Sequence, residues 1–316
     1  MPKASLAVDP HLFSLDAIDP ATRAFNAQLA SLLAGVPPIW TVPPAATRAA
    51  REEGRGPFGP IPLSPMAIDR IIGGPNGPLK VRTLLPPSFN AVYLHLHGGG
   101  WTLGAPHHSD VVLEELVRAA GVGVVSVDYR LAPEHPYPAG PDDCEAAALW
   151  LVEHAESEFG TTRLLIGGES AGAHLAVVTM LRLRDKHHIQ PFSRANLVFG
   201  AYDLAGTPSV ALGTDTLVLN RQSTRWFTDN FVTNDKRHDP DVSPLRADLR
   251  QLPAALFSVG TLDPLLDDTL FMHARWVAAG NSAELAIYPG GVHCFTSYDF
   301  ALARAARARS AEFLAA

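Results

Sequence analysis

The stretch RLLIGGESAGAHLAVVTMLRL, residues 163–183, decides how the rest of the chain is read. Its first part is a short apolar run of the kind that forms a strand buried on both faces, and its second part has the length and spacing of a helix. Between them lies Gly168-Glu169-Ser170-Ala171-Gly172, a G-x-S-x-G pattern. A sharp strand-to-helix turn needs residues without bulk on either side of the serine. The helix that starts there aims backbone N–H groups at negative charge developing nearby. Ser170 is therefore the candidate nucleophile.

Upstream, the run VYLHLH ends in His97-Gly98-Gly99-Gly100-Trp101. A backbone without side chains can approach a substrate carbonyl, and its N–H groups then serve as oxyanion donors. Downstream, Asp263 follows the run AALFSVG in GTLDPLLDD, and His293 sits in the loop YPGGVHCF after the last apolar run. Both positions are carboxyl ends of strands, where open parallel sheets gather their ligand-binding groups. The chain order Ser170, Asp263, His293 suits a nucleophile, the acid that orients the base, and the base itself. Asp267 and Asp268, about a helical turn beyond Asp263, read as solvated groups or as complements to the helix dipole.

From about residue 67 onward, short β-branched or apolar runs alternate with helical stretches, the signature of βαβ units. Eight runs qualify as strands, at about 67–73, 78–85, 92–97, 122–128, 163–168, 195–201, 254–260 and 283–289. Gly-Pro-Asn-Gly at 74–77 makes the first two an antiparallel hairpin. Helices are expected near 107–120, 141–156, 171–187, 265–280 and 299–315. Two regions break the rhythm and read as helical cap material: an N-terminal segment, 1–60, and a second segment, 203–245. The catalytic core is then 61–202 together with 246–316, an α/β unit whose eight-stranded, mostly parallel sheet carries helices on both faces.

Hydrophobic content of 47% with 18% charged residues is that of a compact globular protein. A net charge of −7 gives no basic footprint for nucleic acid or anionic lipid. No stretch approaches the roughly 18 apolar residues of a membrane span. The opening MPKASLAVDP lacks a basic stretch followed by an apolar run, so the cytoplasm is the expected location. The two cysteines, Cys144 and Cys294, have no metal-ligand spacing, and a disulfide between them is not expected. His95 and His97 share one face of a strand and, with His107-His108, raise a metal-ligand reading, but glycines follow where an acidic ligand should stand. Neither a metal nor a cofactor is expected.

With these residues placed, the chain resembles the hormone-sensitive-lipase-like (family IV) carboxylesterases of the α/β-hydrolase superfamily. The stretches that carry the resemblance are HGGGW at 97–101, DYRLAPEHPYPA at 128–139, GESAG at 168–172, the run 241–268 and the HxF at 293–295. The resemblance implies an α/β-hydrolase fold, the triad Ser170, Asp263 and His293, and oxyanion donors on the N–H groups of Gly99, Gly100 and Ala171. It also implies hydrolysis of small-molecule esters with short to medium acyl chains through an acyl-enzyme. Family members commonly carry Asp at the position of Glu169, and a small residue then Asn at Ala173 and His174, so the wall beside the nucleophile departs from the family pattern. Trp101, Tyr202, Trp226 and Phe227 are candidate walls of an acyl or alcohol pocket, and equally candidates for cap core. Amidase, deacetylase, thioesterase and lactonase chemistry use the same tetrahedral intermediate and stay open, as does a non-catalytic small-molecule receptor on this fold. An edge strand formed by AELAIYP invites pairing with a second copy, and a homodimer is expected.

Overall fold

The computed structural model describes residues 7–56 and 59–316. Eight strands form one sheet: β1 (Ala67–Gly74), β2 (Gly77–Leu84), β3 (Val92–Leu96), β4 (Gly123–Val127), β5 (Leu164–Glu169), β6 (Phe192–Val198), β7 (Ala254–Gly260) and β8 (Ala283–Tyr288). The helices are α1 (Pro20–Leu33), α2 (Pro44–Glu52), α3 (Asp110–Ala120), α4 (Ala139–Phe159), α5 (Ala171–His187), α6 (Pro208–Leu212), α7 (Arg221–Phe231), α8 (Leu266–Ala278) and α9 (Ala301–Ala315). Strand order is β1-β2-β4-β3-β5-β6-β7-β8. β2 pairs antiparallel with β1 and with β4, and every other pairing is parallel.

The continuous apolar runs have a simple cause: successive side chains point to opposite faces, and both faces are covered. Leu94, Val125, Ile166 and Phe257 face α4, α5 and α8 in one core, where Leu151, Leu175 and Trp276 are fully buried. Their strand neighbours Tyr93, Val124, Leu165 and Leu256 face α3 and α9 in a second core with Leu113, Val117 and Leu314. Gly74 pairs with Gly77 across the expected hairpin turn.

Most strands lie within one residue of their expected bounds, and one is displaced by three. β6 runs from Phe192 to Val198 instead of 195–201, because Phe192 is already buried and Phe199 turns to φ 37°, which ends the ladder. That kink carries the chain up over the carboxyl edge, where α6 and α7 lie within residues 203–245. In the N-terminal segment, α1 packs Phe25 and Leu29 against Phe199, Val292 and Phe295, beside the His293 loop. Helix α2 is tied to the loop after β3 by Arg48, which donates to the carbonyl of Thr102 at 2.8 Å and pairs with Glu134. Among the described residues no helix is long and apolar enough to cross a membrane.

Candidate active site

Ser170 stands between β5 and α5 at φ 57°, ψ −119°, a strained conformation for a residue with a side chain. The turn fits only because its flanks have no side chains. A Cβ at Gly168 would lie 2.0 Å from the Leu96 carbonyl oxygen, and one at Gly172 would lie 1.8 Å from it. The Ser170 N–H donates to Val198 at 2.9 Å, fixing the turn to the next strand.

His293 Nε2 lies 2.9 Å from Ser170 Oγ, and His293 Nδ1 lies 2.9 Å from Asp263 Oδ2. All three are buried, at 8%, 4% and 3% exposure, so the contacts are shielded from water. The other carboxylate oxygen of Asp263 accepts the Leu265 N–H at 2.8 Å. That bond aims the carboxylate, and it delays the start of α8 to Leu266, beyond the expected onset at 265. The loops bearing Asp263 and His293 are laced by Leu262 N–H to Gly291 O at 3.0 Å and Gly290 N–H to Thr261 Oγ1 at 2.9 Å. Burial disfavours the imidazolium, but the Asp263 charge outweighs it and holds the His293 pKa well above the ordinary 6.5.

Gly98 lies against Ser170: a Cβ there would sit 2.9 Å from the Glu169 carbonyl oxygen and 3.5 Å from Ser170 Cβ. Gly99 and Gly100 follow at φ 122° and 59°, conformations that turn the strand end into a loop around the serine. Ala171 is the first residue of α5, so its N–H has no acceptor within the helix. Phe227 closes the top: a Cβ on Gly100 would be 2.2 Å from its ring. Trp226 lies beside it, lining a cleft of about 600 Å³ with Trp40, Thr214 and Arg221.

Two of the expected pocket walls are elsewhere. Trp101 is buried, donates its indole N–H to His174 Nδ1 at 3.0 Å and stacks on Phe231 with centroids 4.7 Å apart. It is the floor beneath the oxyanion loop, because φ 56° turns its side chain into the core. Tyr202 is fully buried against Gly200 and Phe257. The solvated reading of Asp268 is also overturned, while its place in the first turn of α8 stands. It is buried and accepts the N–H groups of Tyr202 and Asp203 at 2.6 and 2.9 Å and the Thr207 hydroxyl at 2.6 Å, pinning the start of the second cap segment to α8. Asp267 likewise accepts the Ser209 N–H at 2.8 Å.

The positions that depart from the family pattern have definite partners. Glu169 accepts from His95 Nε2 at 3.0 Å and from the Gly98 N–H at 3.4 Å, while His95 Nδ1 meets Ser126 Oγ at 2.8 Å. Burial pushes the Glu169 pKa up, but His95 and the Gly98 N–H outweigh it and hold it below the ordinary value, so a carboxylate braces the glycine loop behind Gly98. His174 accepts from Trp101 and donates through Nε2 to the Val242 carbonyl at 2.8 Å; burial lowers its pKa to about 4, which keeps it neutral. His97 donates Nδ1–H to Gly98 O at 2.8 Å and stacks on Tyr129, whose hydroxyl donates to His97 O at 2.7 Å. Burial drives its pKa to about 3. His95 and His97 are thus separated in role from His107 and His108, which both turn to Glu52.

Residues 93–297 match a family described as alpha/beta hydrolase fold. Carboxylic ester hydrolase LipN of Mycobacterium tuberculosis is 35% identical over 72% of this chain, and the match spans 63% of LipN's own length, less than two thirds. Carboxylesterase NlhH of the same organism is 34% identical over 73% of this chain and 75% of its own. A hyperthermophilic esterase from Pyrobaculum calidifontis superposes with a TM-score of 0.84 at 27% identity, covering 94% of this chain and 98% of that one. The matched segment covers more than half of the chain, and the chain belongs to the α/β-hydrolases, in their hormone-sensitive-lipase-like carboxylesterase branch.

Proposed function

We propose that the chain is a serine carboxylesterase acting on short to medium acyl esters, with Ser170 as nucleophile, His293 as base and Asp263 as orienting acid. The observation that carries this reading is the unbroken relay of two 2.9 Å contacts from hydroxyl to imidazole to carboxylate beneath a glycine loop. Ser170 Oγ attacks the ester carbonyl as its proton passes to His293 Nε2, and Asp263 holds the tautomer that leaves Nε2 free to take it. The oxyanion is received by the N–H groups of Gly99, Gly100 and Ala171, preorganised dipoles of which each is worth about 2.7–4 kcal/mol. The imidazolium then protonates the departing alcohol, and a water deprotonated by His293 releases the acid and restores Ser170.

Phe227 over Gly100 supports a limited acyl length. A panel of nitrophenyl esters from acetate to dodecanoate tests both parts. Turnover should be greatest on the short and medium members and vanish in Ser170→Ala with the melting temperature kept. Retained turnover in that variant rejects the mechanism, and a preference for the longest esters rejects the substrate class.

A homodimer through β8 is proposed as well, supported by its place as the last strand of the sheet with partly exposed residues. Residues 7–12 flank part of this edge across a cleft, and sedimentation equilibrium would reject the proposal by returning a monomer mass at micromolar concentration. Two free thiols, Cys144 and Cys294, support a reducing, cytoplasmic location.

A further inference from the structure

The cap helix α2 ends in Glu52, and its carboxylate meets two histidines that are adjacent in sequence but 55 and 56 residues away from it. His107 Nε2 lies 2.8 Å from Glu52 Oε2, and His108 Nε2 lies 2.8 Å from Oε1. The three donor groups fall within 4.8 Å of one another. The two imidazoles stand nearly perpendicular, at 78° with centroids 4.5 Å apart, so neither ring blocks the other's nitrogen. We infer that Glu52, His107 and His108 form a binding site for a divalent transition cation of the zinc type, which links the cap helix to the loop that follows the oxyanion glycines.

Two imidazole nitrogens and one carboxylate are a ligand set that zinc accepts, with water completing the tetrahedron. Metal–ligand bonds of about 2.0–2.2 Å place tetrahedral neighbours about 3.3 Å apart, so the present 2.8 Å contacts need to open by only about half an ångström. The part best able to yield is Glu52, whose side chain is 49% exposed, while His108 is held at 8%. Each histidine must present an unprotonated Nε2, which moves its hydrogen to Nδ1. The shift exchanges the Nε2 hydrogen bonds to Glu52 for metal bonds, and Nδ1 of His108 has no hydrogen-bond partner to lose. The nearby Arg51 guanidinium repels a cation, which sets the expected affinity in the micromolar range instead of the nanomolar range of closed structural zinc sites. Arg48 on the same helix binds the Thr102 carbonyl, and an ion at Glu52 would strengthen the second anchor that the histidine contacts already give α2.

The test is titration of the full chain, first stripped with chelator, with zinc chloride. Calorimetry should show one ion per chain with a raised melting temperature. His107→Gln and Glu52→Gln should each weaken binding by about tenfold or more while melting, metal-free, as the parent does. Equal zinc affinity in the parent and both variants, or no saturable binding at all, overturns the proposal. If either variant fails to fold, zinc-edge X-ray absorption of the loaded parent decides: a shell of two imidazoles with oxygen supports the site, and any other shell overturns it. Neither readout depends on turnover, so the result stands apart from that of the ester panel.

Discussion

At the scale of single residues, the decisive feature is the competition acting on His293. Burial favours the neutral ring and Asp263 favours the charged one, and Asp263 prevails. The base must be neutral to accept the Ser170 proton, so a raised pKa keeps it protonated over a wider range. Activity is therefore expected to climb with pH through a limb above 6.5, with an optimum on the mildly alkaline side. Asp263→Asn removes the largest of the influences that oppose burial, leaving Cys294 as the weaker one. The limb should move to lower pH while kcat drops by about four orders of magnitude as the tautomer is lost, both read from a pH–rate profile. An unmoved limb would show that another group sets it. The same aspartate shows how far residues can be read from sequence. Asp263 was legible because a strand end and a following proline mark its position. Asp268 was not, because its partners are the N–H groups of Tyr202 and Asp203, which every residue type carries, and an acid in a helix's first turn looks the same whether solvated or buried.

At the scale of elements, the oxyanion loop is held from three sides: Phe227 above, Trp101 beneath it, and the Glu169 carboxylate behind Gly98. Gly100→Ala is expected to lower kcat by about 10²–10³-fold, since the new methyl both resists φ 59° and strikes the Phe227 ring. Combining it with Phe227→Ala separates the two causes. A partial recovery in the double variant assigns the remainder to backbone strain, and strict additivity would mean the ring is not the obstacle. The glycines and the serine turn were readable because close backbone approach excludes other residue types. The brace was not, because Glu169 and His95 lie 74 residues apart and meet only once β3 and β5 are paired.

At the scale of the whole molecule, the alternation of apolar runs and helical stretches predicted the sheet, and the places where that alternation fails marked the two segments expected to form a cap. What those segments touch was out of reach. Helix α1 packs on the His293 loop and α2 reaches His107 and His108 through contacts that leave no local pattern. The hydroxyl, carboxylate and imidazole are themselves brought together from crossovers 30 and 123 residues apart. A partly unfolded chain that has lost any one of those crossovers has no working relay, whatever helix it retains. Loss of turnover in urea should thus come at or before the midpoint seen by circular dichroism, and hydrolysis outlasting the spectroscopic signal would contradict this geometry. Turnover in such a protein doubles as a gauge of foldedness, a readout of assembled topology that asks more of the chain than its secondary-structure content does.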